Sequence, residues 1–442
     1  MGNRVNRMIW NLEAETMPRE EKKRLQLQRM QLVFKRAYHS LPFYRRSFEA
    51  KSVKPEDLKS LEDLSNFPFT LKTDLRDNYP FGLFATPMSK IIRLHASSGT
   101  TGKPVVGAYT RNDLDLWSEV MARSYGAAGV DEGDMVHNAY GYGLFTGGMG
   151  FHYGAERIGA TVVPVAGGLT KRQVMLWQDF KPTVLTCTPS FALVLAETAA
   201  EMGINPVTDL NLRVGMFGAE PWTEQMRHEI ESKLGLEAFN QYGLTELIGP
   251  GVSCECPNHN GMHIQDDHFY PEIIDPATGE VLDYGQTGEL VFTSLTKEAF
   301  PVIRYRTRDI TSLDPEPCSC GRTTMRMNRI TGRSDDMLIV RGVNVFPSQI
   351  EGVILTNKAV APVYLIVVDR VRNLDQIEVQ VEAAEAVYHM GEEMLLEISN
   401  QLQQELVQTL GISAKVVVVP PRSIARSEGK AKRVLDRRNL HN

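Results

Sequence analysis

Ser97-Ser98-Gly99-Thr100-Thr101-Gly102-Lys103-Pro104 brings four hydroxyls, two glycines and a lysine into one short loop. The segments on either side, Ile91–Ala96 and Pro104–Thr110, each predict a strand. A loop of this composition between two strands can wrap a polyphosphate. Its glycines let backbone N–H groups converge, its hydroxyls donate further hydrogen bonds, and its lysine supplies charge. It is not a Walker A loop, which has four residues between its glycines, Ser or Thr after the lysine, and a helix following. The same composition also suits a solvated hairpin loop.

A second group of reactive side chains lies further along. Four of the five cysteines are paired, as Cys254-Glu255-Cys256 and Cys318-Ser319-Cys320, and His259 and His263 follow the first pair. An odd, small number of cysteines argues against a disulfide framework. Clustered thiols beside imidazoles suit tetrahedral zinc. The expected ligands are Cys254, Cys256, Cys318 and Cys320, with His259 as the competing ligand. Such a site would be structural, because a full cysteine-rich shell leaves no open position. Cys187 lies in an apolar run and reads as an inert core residue.

These groups need a scaffold to position them. The chain has 442 residues, enough for two or three domains with sizeable cores. A net charge of −6 gives no reason to expect nucleic acid or an anionic membrane as partner. The segment from Met1 to Leu41 is charged and polar, with no apolar stretch of a secretory signal, and no run is long enough to span a membrane. A cytoplasmic enzyme is the expectation. Residues 18–40 predict an amphipathic helix ended by Leu41-Pro42. From about residue 105 to 330, short β-branched runs such as Ala160–Val165, Thr183–Cys187 and Leu212–Phe217 alternate with helical stretches at Lys171–Phe180 and Ser190–Met202. That alternation predicts mostly parallel sheets in an α/β fold. After Gly332 the pattern changes. Strands at Val363–Val368, Ile377–Val381 and Lys415–Val419, with a helix at Met394–Thr409, predict a compact α+β domain. The expected organisation is a large multi-sheet domain over residues 1–334 and a small domain over 335–442, joined at a hinge.

The loop at Ser97 resembles the phosphate-binding signature of the adenylate-forming enzymes, the acyl-CoA synthetase superfamily. Further segments match in the same order. Asn240-Gln241-Tyr242-Gly243-Leu244-Thr245-Glu246 resembles its aromatic-Gly-x-Thr-Glu motif, and Tyr305-Arg306-Thr307-Arg308-Asp309 its ribose-binding segment. Gly332-Arg333-Ser334-Asp335-Asp336 through Arg341-Gly342-Val343-Asn344-Val345-Phe346-Pro347 resembles its hinge and the loop beyond. Ser427-Glu428-Gly429-Lys430 resembles its terminal lysine motif. The segments Asn138–Gly148, Gly218-Ala219-Glu220-Pro221 and Asp336–Pro347 narrow the resemblance to the branch that handles aryl acids.

The resemblance implies two half-reactions. A carboxylate attacks the α-phosphate of ATP, giving an acyl-adenylate and pyrophosphate; the thiol of coenzyme A then displaces AMP. The expected substrate is an aryl carboxylic acid, phenylacetate first. The loop Ser97, Ser98, Gly99, Thr100, Thr101, Gly102 and Lys103 would hold phosphate. Gly218, Ala219, Glu220 and Pro221 would line the adenine, with Gln241, Tyr242 and Gly243, Tyr242 stacking on the base. Asp309 would accept from both ribose hydroxyls, although Arg306 and Arg308 offer it salt bridges instead. Glu246 suits Mg²⁺, a hard cation that takes carboxylate, phosphate and water. Thr245 would donate to the α-phosphate. Lys430 would neutralise charge during adenylation and leave for the second step, a task suited to a compact ammonium on a long stem. Asp335 is the expected hinge pivot. Arg333 would contact ribose, and Gly342, Val343 and Asn344 the coenzyme A arm. Tyr140, Tyr142, Phe145, Gly147 and Gly148 combine aromatic surface with space for a flat ring. The family also suggests a homodimer. The alternatives are adenylation of another aryl acid, a carrier-protein thiol as acceptor, or a nucleotide-binding regulator without catalysis.

Overall fold

In the computed structural model the described residues are 9–97, 104–334, 338–341, 343–371, 374–426 and 433–438. Packing divides the chain into two compact units. The first comprises Met1–Cys187, Asp209–Ala219 and Leu236–Ile330; the second comprises Thr188–Thr208, Glu220–Gly235 and Thr331–Asn442.

In the first unit, β1 (Arg93–Ala96) and β2 (Val106–Tyr109) form an antiparallel hairpin, as the apolar flanks of the Ser97 loop predict. The central sheet is built from β3 (Met135–Asn138), β4 (Thr161–Pro164), β5 (Val184–Cys187), β6 (Val214–Gly218), β7 (Glu237–Leu244), β8 (Gly249–Cys254) and β9 (Met262–Ile264). Strands β10 (Phe269–Ile274), β11 (Gly288–Ser294) and β12 (Tyr305–Thr311) pair antiparallel in a second sheet. β13 (Leu313–Asp314) and β14 (Arg326–Met327) then return to the central sheet, whose order is β13-β14-β9-β8-β7-β6-β5-β3-β4. The pairs from β4 through β7 are parallel. From β7 onward the pairs run antiparallel. The helices Arg111–Ala127 and Gly147–Ile158 contribute Trp117, Met121, Tyr125 and Phe151 to the buried core.

The predicted amphipathic helix is Arg19–Ser40, burying Met30, Val33, Phe34 and Ala37. Pro42 does not merely end it. It opens the next helix, Pro42–Ala50, at a position where its missing N–H is no loss.

The second unit contains the helices Pro189–Glu201 and Glu224–Leu234 and a four-stranded sheet. That sheet runs in the order Lys415–Val419, Leu374–Ala383, Val360–Val371, Val434–Asp436. The helix Glu392–Leu410 buries Ile398, Leu402, Leu406 and Leu410, a four-residue spacing that keeps one stripe inward.

One buried side chain of the central sheet has a measurable consequence. His137 on β3 is fully buried, with Nε2 2.9 Å from Gln173 Oε1. Burial lowers its pKa to about 4, the bond to Gln173 offsetting only part of this. Between the ordinary value near 6.5 and pH 4 the unfolded chain binds a proton that the folded chain does not. Stability therefore falls as pH falls through that window, by roughly 3 kcal/mol at full extent. Urea unfolding between pH 7 and 4.5 should show this slope in the wild type and a flatter one in His137→Gln. Equal slopes would rule the assignment out.

Candidate functional site

The parallel strands β3, β5, β6 and β7 end side by side, and such carboxyl ends are where open α/β sheets bind ligands. Gly218 closes β6 opposite Gln241 on β7. A Cβ at Gly218 would lie 2.2 Å from the Gln241 carbonyl oxygen, so only glycine permits this approach. Ala219 follows in the left-handed region at φ 71°. Glu220, in the second unit, accepts a 2.8 Å hydrogen bond from the Ser190 N–H, and Pro221 beside it is exposed.

On β7, Gln241 is buried, and neither atom of its amide has a partner among the described residues. Tyr242 donates its hydroxyl to Asp309 Oδ2 at 2.6 Å, which joins the two segments that the resemblance expects at the nucleoside. Gly243 is required by the chain crossing it: a Cβ there would lie 1.9 Å from the Gly249 carbonyl oxygen. Thr245 and Glu246 occupy the turn between β7 and β8. Glu246 is 5% exposed. Its Oε1 accepts from the Tyr305 hydroxyl at 3.3 Å and lies 3.9 Å from Lys72 Nζ.

Asp309 sits on β12, where Tyr305, Thr307, Asp309 and Thr311 alternate inward. Arg306 and Arg308 take the other face and both pair with the fully buried Glu289, at 2.6 and 3.4 Å. The salt bridges that they offered Asp309 on sequence grounds thus go to Glu289. Strand alternation places an arginine and its neighbour aspartate on opposite faces. Glu289 carried no motif that would have marked it.

At the base of the Ser97 loop, the Ser97 N–H donates to the Val105 carbonyl and its Oγ accepts from the Val105 N–H, each at 2.9 Å. Ser98, Gly99, Thr100, Thr101, Gly102 and Lys103 lie outside the described residues, as do Asp335, Gly342 and Lys430. Arg333 lies half-buried in the short strand Gly332–Arg333. Val343 and Asn344 belong to the strand Val343–Val345, paired with Leu338–Val340.

Of the aromatic candidates, Tyr140 is buried and stacks on Phe151, with centroids 4.6 Å apart. Gly147 opens the helix Gly147–Ile158 against the Tyr140 ring. Phe145 is 54% exposed. Tyr142, in the same aromatic run, has its hydroxyl between Asn138 Nδ2 at 2.7 Å and His152 Nδ1 at 3.1 Å. Burial pushes its pKa up to about 12.

The thiols assemble differently from the expectation. Cys256, Cys318 and Cys320 converge with His263, their ligand atoms all within 4.8 Å of one another. Cys254 and His259 are not in this group. Cys254 is buried at the end of β8, its thiol 4.0 Å from Gln265 Nε2 and its pKa pushed up to about 12 by burial. His259 is held between Glu255 at 3.4 Å and Glu237 at 3.2 Å. His263 follows the same cysteine pair in sequence, but β9 is what turns it into the cluster.

Two sequence families match this chain: AMP-binding enzyme over residues 22–296, and AMP-binding enzyme C-terminal domain over residues 342–438. The chain is 51% identical to the phenylacetate-coenzyme A ligase of Thermus thermophilus, over 98% of this chain and 100% of that protein. It is 52% identical to the phenylacetate-coenzyme A ligase of Escherichia coli, over 96% of this chain and 97% of that protein. The crystal structure of 2-hydroxyisobutyryl-CoA ligase in the postadenylation state, in complex with 2-HIB-AMP, superposes with a TM-score of 0.92 at 33% identity. That likeness covers 98% of this chain and 93% of the other. With these likenesses beside the joined Tyr242–Asp309 and Glu246 segments, the chain belongs to the AMP-binding enzyme family.

Proposed function

We propose that this chain ligates phenylacetate to coenzyme A in two steps, through an acyl-adenylate. In the first, a carboxylate oxygen bonds to the α-phosphorus of ATP, the bond to the bridging oxygen breaks, and pyrophosphate leaves. In the second, the coenzyme A sulfur bonds to the acyl carbon and AMP leaves, the thiol proton being released. The Tyr242–Asp309 hydrogen bond carries the reading, because it links the two nucleoside segments. By donating to Oδ2 it fixes the plane of the Asp309 carboxylate, which orients that group as an acceptor for ribose hydroxyls. The close approach at Gly218 leaves a small surface where a purine would lie. In-line displacement at phosphorus needs positioning and charge neutralisation more than covalent help.

Glu246 would hold Mg²⁺. Its buried carboxylate, set beside a hydroxyl and an ammonium, offers the hard oxygen that this ion prefers. Bound there, the ion would offset phosphate charge. Thr245 would donate to the α-phosphate, the loop Ser97–Lys103 would hold phosphate, and Lys430 would enter for adenylation. Residues 1–334 and 335–442 would be the two moving bodies, with Asp335 as pivot. Tyr140 and Gly147, with Phe145, would form one wall of the acid pocket. The cysteine and histidine cluster, which the ligase chemistry does not require, would hold a structural zinc separate from the magnesium. The expected setting is the cytoplasm.

The test is product formation. With ATP, Mg²⁺ and phenylacetate, the purified chain should release pyrophosphate, and adding coenzyme A should yield AMP and phenylacetyl-CoA. Across a panel of carboxylic acids, phenylacetate should have the highest kcat/KM. Another acid in that place would overturn the substrate, and no pyrophosphate with any acid would overturn the ligase.

A further inference from the structure

The zinc ligands follow from distances rather than from cysteine spacing. Cys256 Sγ and Cys318 Sγ are 3.8 Å apart, and Cys320 Sγ is 3.4 Å from His263 Nε2. Zinc bonds of about 2.3 Å to sulfur and about 2.0 Å to nitrogen make a tetrahedron with edges of about 3.8 Å between sulfurs and about 3.5 Å between sulfur and nitrogen. Both measured edges match. A disulfide would need about 2.0 Å. We infer that Cys256, His263, Cys318 and Cys320 bind one structural Zn²⁺ as a Cys3His site.

The surroundings are those of a built metal site. His263 turns its other ring nitrogen, Nδ1, to Thr324 Oγ1 at 2.9 Å, which orients the ring. Asn258 Nδ2 donates to Cys318 Sγ at 3.3 Å. Arg322 Nη1 lies 3.6 Å from Cys320 Sγ, while its Nε donates to Glu15 Oε2 at 2.6 Å. Three thiolates on Zn²⁺ leave one net negative charge, and the buried guanidinium opposes it. The backbone also folds each thiol inward. The His259 N–H closes a turn on the Cys256 carbonyl, and the Gly321 N–H closes one on the Cys318 carbonyl. Cys256 and His263 flank the β8–β9 connection, and Cys318 and Cys320 lie between β13 and β14. The metal therefore pins two arms of the central sheet that lead from β7 and β12, the strands carrying Tyr242 and Asp309.

The metal is structural because four protein ligands leave no open position, so the inference does not rest on the proposed function. The experiment measures zinc by elemental analysis on the full untagged chain and, separately, the absorption spectrum after exchange with Co²⁺. About one zinc per chain is expected in the wild type, in Cys254→Ser and in His259→Ala, with at least a tenfold loss in Cys320→Ser and His263→Ala. Co²⁺ in the wild type should give thiolate charge-transfer bands and the intense visible bands of a tetrahedral site, a readout that needs no variant to fold. Zinc retained in Cys320→Ser, zinc lost from Cys254→Ser, or wild type that takes up neither metal would each overturn the assignment. A zinc-free chain that still ligates would overturn the metal and leave the ligase standing. A zinc-loaded chain without activity would do the reverse.

Discussion

Lys430→Ala should slow acyl-adenylate formation by roughly 100- to 1000-fold, while thioester formation from supplied acyl-adenylate keeps its rate. The magnitude is that of removing one well-placed charge stabiliser from a site where negative charge moves between oxygens. The selectivity is the sharper part. In the first half-reaction the phosphate transfers charge to leaving pyrophosphate, and an ammonium beside it stabilises that shift. In the second, charge develops on the acyl carbonyl and no phosphorus–oxygen bond changes. Lys430 follows Gly429 in the Ser427–Lys430 motif, and Lys432 is close enough in sequence to serve as control. Lys432→Ala should leave both steps unchanged. Pyrophosphate release measures the first step, and loss of supplied phenylacetyl-adenylate in the presence of coenzyme A measures the second. Equal losses in both, or a larger loss in Lys432→Ala, would remove Lys430 from the role.

Glu246→Gln should lower adenylation by about 100-fold and raise the Mg²⁺ concentration needed for half-maximal rate. The substitution keeps size and an oxygen able to accept from the Tyr305 hydroxyl. It removes the negative charge, so the contact with Lys72 at 3.9 Å is no longer an ion pair. Lys72 is 38% exposed at its side chain, so that loss costs little stability. Thermal unfolding of the variant should stay near the wild type, which separates a lost ligand from a damaged fold. A variant with wild-type rate and wild-type Mg²⁺ dependence would exclude Glu246 as the metal's carboxylate.

Much of the architecture was legible because its signals are local. The helix Arg19–Ser40, the strands β4, β5 and β6 and the strand Lys415–Val419 fall where apolar periodicity puts them. Those patterns depend on neighbours within a turn or a pleat. The motifs that resemble the family's nucleotide segments were equally plain to find, since each is a short contiguous run. Partnership between distant residues was not legible. Sequence could set Arg306 and Arg308 beside Asp309, but β12 points them at Glu289, because a strand sends successive side chains to opposite faces. The aromatic run after β3 offered Tyr140 as a pocket wall; packing stacks it on Phe151, a contact fixed by how the helix Gly147–Ile158 lies on the sheet. The cysteine pairs pointed to a thiol cluster, yet spacing put Cys254 and His259 among its candidates and passed over His263. The chain alone determined which chemistries were present. The antiparallel return of β9 and β14 decided that His263 joins Cys256, Cys318 and Cys320, because register across a sheet is set by strands far apart in sequence.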